Sequence, residues 1–554
     1  MEEEQQNPYK WNVMIFLAGN NSLSEECVFG LTDILEAKID GKVTISAQLS
    51  TGVHRGTFLN LREFKNRDQL HKKLNEALSE QQRQLLTQHR AEGASKFEKR
   101  SFKRRIFDFV KQSLGPDNSR RADHYMLILA GHGSGILGEF FREDDRDNNP
   151  GNSDHMNFIN LGGLIEVIDE ELLDRKKIDV LGMDSCLMAM TEIAYGLHNH
   201  VKVMIGAEGF EPMAGWPYHQ ILQLVSEIPD DLNELGRRIV DEYIDFYTIY
   251  QAANLSVDLA ASDLSETVMV MKAIYSLGAA LTPLLNDYPA DYHGMDIEKP
   301  PASVVVRDAV LLAHWEAQLY KNEQYTDIYD FCALLKARLS RQKEYEPVRK
   351  ACQNVLNSIA GVEKQQSLEG DKWEPGLADH DFRAQWSNIH PGDEPRWMSP
   401  VSFQEAKGFV LKSCYSGWVV QYSHGVSVYF PWSEIPADIE EYERLNFASD
   451  SRWAEFLKAY LKATKRDARP GKGERPTLFA TPLLRQNFSV APTTFVGHRN
   501  ADSNRNADSN RNADSNRSLT NMIGSMKNPA TEFWECPEFE PPDRNRKSTR
   551  GRRK

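Results

Sequence analysis

Two sites in this chain carry the residue types that make and break acyl bonds together: a histidine between glycines, Gly131-His132-Gly133, and a cysteine preceded by an acid, Asp184-Ser185-Cys186. A thiol is a useful nucleophile only as thiolate. An imidazole beside it both takes the proton and keeps it for the leaving group. The oxyanion formed when sulfur attacks a carbonyl needs backbone N–H donors that can be approached closely, and glycine beside the base leaves room for that. The N–H groups of Gly133 and Cys186 are the candidate donors. A helix read as starting near Leu187 would aim its positive end at the sulfur and depress the thiol pKa. Each feature alone also has an ordinary reading, since single cysteines fill cores and His-Gly marks many turns.

For the pair to meet, elements separated by 54 positions must lie side by side. The run Tyr125-Met126-Leu127-Ile128-Leu129-Ala130 is short, apolar and closed by glycine, and residues 178–182 repeat the pattern before Asp184, so both read as buried strands. Residues 13–17, 43–49 and 201–207 add further strands. Helices are expected at 161–173 and 187–197, with a helical look over 68–112 that includes the basic run 96–105, read as a solvated face or loop. Strands alternating with helices imply crossover connections and a mostly parallel sheet covered on both faces. Ligands of such sheets sit beyond the carboxyl ends of the strands. His132 and Cys186 both lie just past such an end. Helical patterns over 265–286 and 325–360, then a late strand at 425–431 ended by proline, describe a second, more helical unit. The expected organisation is a catalytic unit over 1–255, a helical or mixed unit over 256–463 packed on it, and a low-complexity basic tail over 464–554. In that tail Arg-Asn-Ala-Asp-Ser-Asn occurs three times between positions 499 and 516, a composition that cannot bury a core and predicts disorder.

A chain of 554 residues exceeds what one core can hold, while 40% hydrophobic and 26% charged residues are ordinary globular values. The net charge of -14 disfavours a protein that wraps phosphate backbones and suits basic substrates; nucleic acid contact is conceivable only through the basic tail. Six cysteines are scattered without the paired spacing of a zinc site or the density of a disulfide scaffold. The acidic amino terminus lacks the features of a secretory signal, and no stretch reads as a bilayer span, so a cytoplasmic protein without membrane partners is expected.

The blocks Leu127-Ile128-Leu129-Ala130-Gly131-His132-Gly133-Ser134-Gly135 and Asp184-Ser185-Cys186-Leu187-Met188-Ala189-Met190 resemble the clostripain family of cysteine peptidases. So do Trp11 to Leu17, Glu192-Ile193-Ala194-Tyr195, Glu211-Pro212 with Gly215-Trp216-Pro217-Tyr218, Tyr325 to Phe331 and Val426 to Pro431, in order over roughly residues 11–460. The resemblance implies a caspase-like α/β/α sandwich, a Cys186–His132 dyad without an essential third member, and an endopeptidase that cuts after Arg or Lys. It also implies that Asp184 lines the pocket for the basic side chain, as a carboxylate that can take a guanidinium by two parallel hydrogen bonds. Where the family often carries Gly-Asp, this chain has Met213-Ala214, so a second pocket acid is expected to be missing. Where the family often has an aromatic residue and an acid before His-Gly, Ala130-Gly131 stand.

The family implies synthesis as a zymogen, activated by cleavage between base and nucleophile. Arg142 and Arg146 lie in the polar loop between the two and are the expected activation sites, cut autocatalytically or by an upstream protease; the basic run 96–105 is a second candidate segment. The same loop offers oxygen ligands of the kind calcium uses in some relatives, yet Met156 stands where an EF-hand needs its bidentate glutamate. No metal and no cofactor are expected, calcium being the one ion weighed. Two other readings remain open: a catalytically silent caspase-like scaffold or binding module, and a thiol-dependent acyltransferase or other hydrolase, since thioester chemistry needs the same dyad.

Overall fold

The computed structural model describes residues 7–19, 23–34, 36–37, 39, 41–50, 57–60, 69, 102–136, 140–142, 155–156, 158–228, 230–248, 255–289, 300–320, 324–361, 408–420, 422–432 and 436–464. The repeats and the tail beyond 464, Arg146 and most of the loop around it lie outside these residues.

The apolar runs form strands because they are buried on both sides. In chain order the strands are β1 (Tyr9–Ala18), β2 (Val43–Ser50), β3 (Thr57–Asn60), β4 (Ala122–Ala130), β5 (Phe140–Arg142), β6 (His155–Met156), β7 (Ile178–Asp184), β8 (Val201–Gly206), β9 (Val257–Asp263), β10 (Leu319–Tyr320), β11 (Tyr325–Asp327), β12 (Val410–Ser416) and β13 (Ser427–Tyr429). Eight of them make one sheet in the order β12-β9-β8-β7-β4-β1-β2-β3. Its centre, from β8 to β2, is parallel. The outer strands β3, β9 and β12 run antiparallel to their inner neighbours.

Alternate residues of each central strand feed opposite cores, as a period of two requires. Met14, Phe16, Leu127 and Leu129 face the helices Phe102–Ser113, Phe158–Leu172 and Thr191–Leu197, together with the helices of the later chain. Val13, Ile15, Met126 and Ile128 face the helices Ser24–Ile34, Tyr218–Glu227 and Leu232–Thr248. The result is an α/β/α sandwich around a mostly parallel sheet, as the alternation of elements predicts. The later chain also completes the sheet, because β12 hydrogen-bonds along β9. The helix Thr267–Asn286 corrects one sequence reading: with the turn before it, it is long and apolar enough to cross a bilayer. In this fold its Val270, Ile274, Leu277 and Leu281 pack into the core instead.

Candidate active site

β4 and β7 are adjacent and parallel, with Ala130 opposite Asp184 at their carboxyl ends. The Gly131 N–H extends the ladder by donating to the Asp184 carbonyl at 3.1 Å. His132 and Cys186 each come two residues past that matched pair, so the topology brings base and nucleophile candidates to one crevice. Contact follows at the next residue. A Cβ added to Gly133 would lie 2.3 Å from the Cys186 carbonyl oxygen and 3.0 Å from its nitrogen, so only glycine allows this approach. On the other side of the turn, Tyr325 of β11 donates its hydroxyl to the Ser134 carbonyl at 2.7 Å. The turn that carries His132 is thus held between the Cys186 peptide and a tyrosine from the later chain.

The segment after Cys186 differs from the sequence reading. The helix starts at Thr191, not near Leu187, and Leu187 is left-handed with φ 66°. The Leu187 N–H donates to the Gly209 carbonyl and the Ala189 N–H to the Ala207 carbonyl, both at 2.9 Å, while the Ala189 carbonyl accepts from Ser427 of β13. These long-range bonds outcompete the helix that Leu-Met-Ala-Met would otherwise favour. A left-handed leucine costs about 1–2 kcal/mol, which the bonds on both sides hold in place. This helix therefore begins five residues past Cys186, and the dipole contribution expected from a start near Leu187 falls away. The partner loop is itself braced: Asp258 at the start of β9 accepts from the Glu208 N–H at 2.7 Å and from the Gly209 N–H at 3.0 Å.

Cys186 is the one partly exposed cysteine among the described residues; Cys27, Cys332, Cys352 and Cys414 are buried. Its sulfur accepts a hydrogen bond from the Glu211 N–H at 3.3 Å. Its dense surroundings push the thiol pKa up to about 12, and the carboxyls of Glu211 and Asp184 push the same way. The Glu211 N–H opposes them. Burial and both carboxyls thus favour the Cys186 thiol over its thiolate.

Asp184, two residues before the cysteine, is buried. It accepts from the Tyr218 hydroxyl at 2.6 Å and from the Trp216 N–H at 3.2 Å, and it is hydrogen-bonded to the carboxyl of Glu211. Gly215, at φ 72°, brings its backbone so near that an added Cβ would sit 2.8 Å from Asp184 Oδ2. Burial raises the Asp184 pKa, and these hydrogen bonds only partly offset it. Glu211 is raised well above the usual carboxylate range, by burial first and by Asp184 second, although the Trp216 indole N–H donates to it at 3.2 Å. Two acids therefore meet beside Cys186. Met213-Ala214 does lack the family's aspartate, but Glu211 supplies a carboxyl from three positions earlier. In the sequence Glu211, Trp216, Tyr218 and Tyr325 stand out only within the family blocks, and the nearest local signal is the Glu-Pro turn past β8.

Arg142 ends β5, where it stands opposite His155 of β6. Arg146 and the acidic residues weighed for calcium lie outside the described residues. Among the described residues no group of three or more His, Cys, Asp or Glu side chains is arranged to hold a metal ion.

The model of the clostripain family matches residues 117–460, more than half of the chain and inclusive of His132, Asp184 and Cys186. No curated protein matches the chain. Among solved structures it is similar to a secreted C11 cysteine protease from Bacteroides thetaiotaomicron in complex with an irreversible peptide inhibitor, at 14% identity over 80% of this chain and 99% of that one, with a TM-score of 0.46. It is also similar to an inactive zymogen C11 protease from Parabacteroides distasonis, at 15% identity over 80% of this chain and 98% of that one, with a TM-score of 0.43. The family match, which spans more than half of the chain together with the strands that carry His132, Asp184 and Cys186, makes this chain a member of the clostripain family and a cysteine-type peptidase.

Proposed function

We propose that the protein is an endopeptidase that cleaves after Arg or Lys, using Cys186 as nucleophile and His132 as base, and that it is made as a zymogen. The observation that carries this reading is Asp184. It is a buried carboxyl two residues from Cys186 whose partners among the described residues are hydroxyl, amide and acid, with no Lys, Arg or His among them. A buried acid without a cation suits a cationic side chain brought by the substrate.

In the reaction, His132 takes the Cys186 proton as the sulfur attacks the scissile carbonyl carbon. The oxyanion meets the N–H groups of Gly133 and Cys186. The C–N bond breaks as His132 gives the proton to the leaving amine, leaving a thioester. Water, deprotonated by His132, then attacks the thioester, the C–S bond breaks, and the carboxylate product and free thiol result. Latency fits the resting thiol, whose pKa of about 12 leaves little thiolate at neutral pH. Cleavage after Arg142 or Arg146, by the enzyme itself or by another protease, would free the loop between base and nucleophile.

The test is hydrolysis of chromogenic peptides ending in Arg, Lys, Asp or Leu by intact chain, by chain nicked at Arg142 or Arg146, and by nicked Cys186→Ala. The expected result is cleavage of the Arg and Lys peptides by the nicked chain alone. Equal activity of the intact chain removes the zymogen step, and activity that survives Cys186→Ala removes the nucleophile.

A further inference from the structure

Glu211 has no assigned role, yet it meets all three parts of the site. Its N–H donates to the Cys186 sulfur, its Oε2 accepts from the Trp216 indole, and its carboxyl is hydrogen-bonded to that of Asp184. Its Oε1 is buried and has no donor among the described protein groups. Two carboxylates cannot hydrogen-bond each other unless one carries a proton, because each alone is only an acceptor. Among the described residues, the groups that act most strongly on the pair supply no cation. They are the Cys186 thiol, the Cys27 thiol from the helix Ser24–Ile34, the Tyr218 and Tyr243 phenols from the two helices that follow β8, and the Asp258 carboxyl of β9.

We propose that Glu211 is a second specificity residue of the pocket, sharing one proton with Asp184 in the resting enzyme, and that a basic side chain of the substrate displaces this proton as it binds. The inference rests on the basic-pocket reading above and deepens it. The exchange balances: a protonated carboxyl pair and a cation become two carboxylates bound to that cation, and one proton leaves to solvent. The orphan Oε1 then gains the N–H donor that it lacks. Discrimination follows, because a neutral side chain of similar shape can neither displace the proton nor satisfy both acids. Glu211 thereby fills from position 211 the role left open by Ala214.

The test is calorimetric titration of acetyl-arginine methylamide into nicked Cys186→Ala chain near pH 6, in two buffers of different ionisation enthalpy. The expected result is release of about one proton per ligand bound, with the dissociation constant falling up to tenfold for each unit of rising pH until the pair is ionised. In the double variant with Glu211→Gln, and in a second with Asp184→Asn, the release should drop close to zero. Binding without proton release, or release that persists undiminished in both variants, overturns the inference while leaving the basic pocket intact. No binding of the arginine ligand to the nicked chain overturns the basic pocket itself, and the inference with it.

Discussion

The two ends of β7 carry two aspartates, Asp179 and Asp184, nearly equal in burial and opposite in electrostatics. Asp179, at the amino end, receives Lys202 Nζ at 2.7 Å and the Tyr125 N–H at 2.8 Å, with His124 Nδ1 at 3.4 Å. Burial alone would raise its pKa, but the nearby His124 ring and the hydrogen bonds from Lys202 and Tyr125 outweigh it and hold the carboxyl below its usual range. Asp184, at the carboxyl end, is also buried and has no cation among the described residues, so burial wins and its pKa rises. Solvent exposure therefore does not separate the two acids; the counter-ion does. Asp179 is complete within the fold, whereas Asp184 has partners that orient it and none that neutralises it.

This contrast can be broken by substitution. Asp179→Ala should cost about 1–3 kcal/mol in urea unfolding, because it strands the buried Tyr125 N–H and unpairs Lys202. Asp184→Asn should leave stability unchanged within about 0.5 kcal/mol or raise it, since it removes a buried acid that lacks a cation. Equal losses at both positions would show that the two carboxyls are doing the same structural job.

A smaller effect sharpens the comparison through pH. Asp179, with its folded pKa depressed, contributes stability that is fully present above its unfolded value near ~3.9 and is lost as pH falls through the folded value. Asp184 has the opposite sign. Its folded pKa is raised, so the folded chain holds that proton more tightly and the cost at neutral pH fades as pH falls toward ~4. The stability difference between Asp184→Asn and wild type should accordingly shrink from pH 7 to pH 4. That between Asp179→Ala and wild type should hold over that range and close only below it. Chemical denaturation at three pH values reads both.

The parallel centre of the fold was legible because strands covered on both faces are written as unbroken apolar runs, as in Val13 to Leu17 and Leu127 to Ala130. β9 and β12 were not, although both are buried. They carry the buried polar residues Asp258, Ser262, Lys412 and Ser413, and two of these are matched by residues far away in sequence: Asp258 by the Glu208 and Gly209 N–H groups and Lys412 by Asp241. The residue types at the site, His132, Gly133, Asp184 and Cys186, were legible from chemistry and from the family blocks. The shape of the chain after Cys186 was not, because hydrogen bonds to Ala207, Gly209 and Ser427 override a local preference for helix. Glu211 escaped for a similar reason: its meaning lies in a carboxyl 27 positions earlier, and no local pattern encodes that meeting.

The central claim is that Asp184 lacks a cation because the substrate brings one. Its most direct test is the ratio of kcat/KM for a peptide ending in arginine to that for its norleucine analogue, measured on nicked wild type and nicked Asp184→Asn. The account predicts a ratio of on the order of 10³ or more in wild type, as befits a buried charge-assisted pair, collapsing to within about tenfold of unity in the variant while the norleucine rate holds. A ratio that survives Asp184→Asn would contradict it.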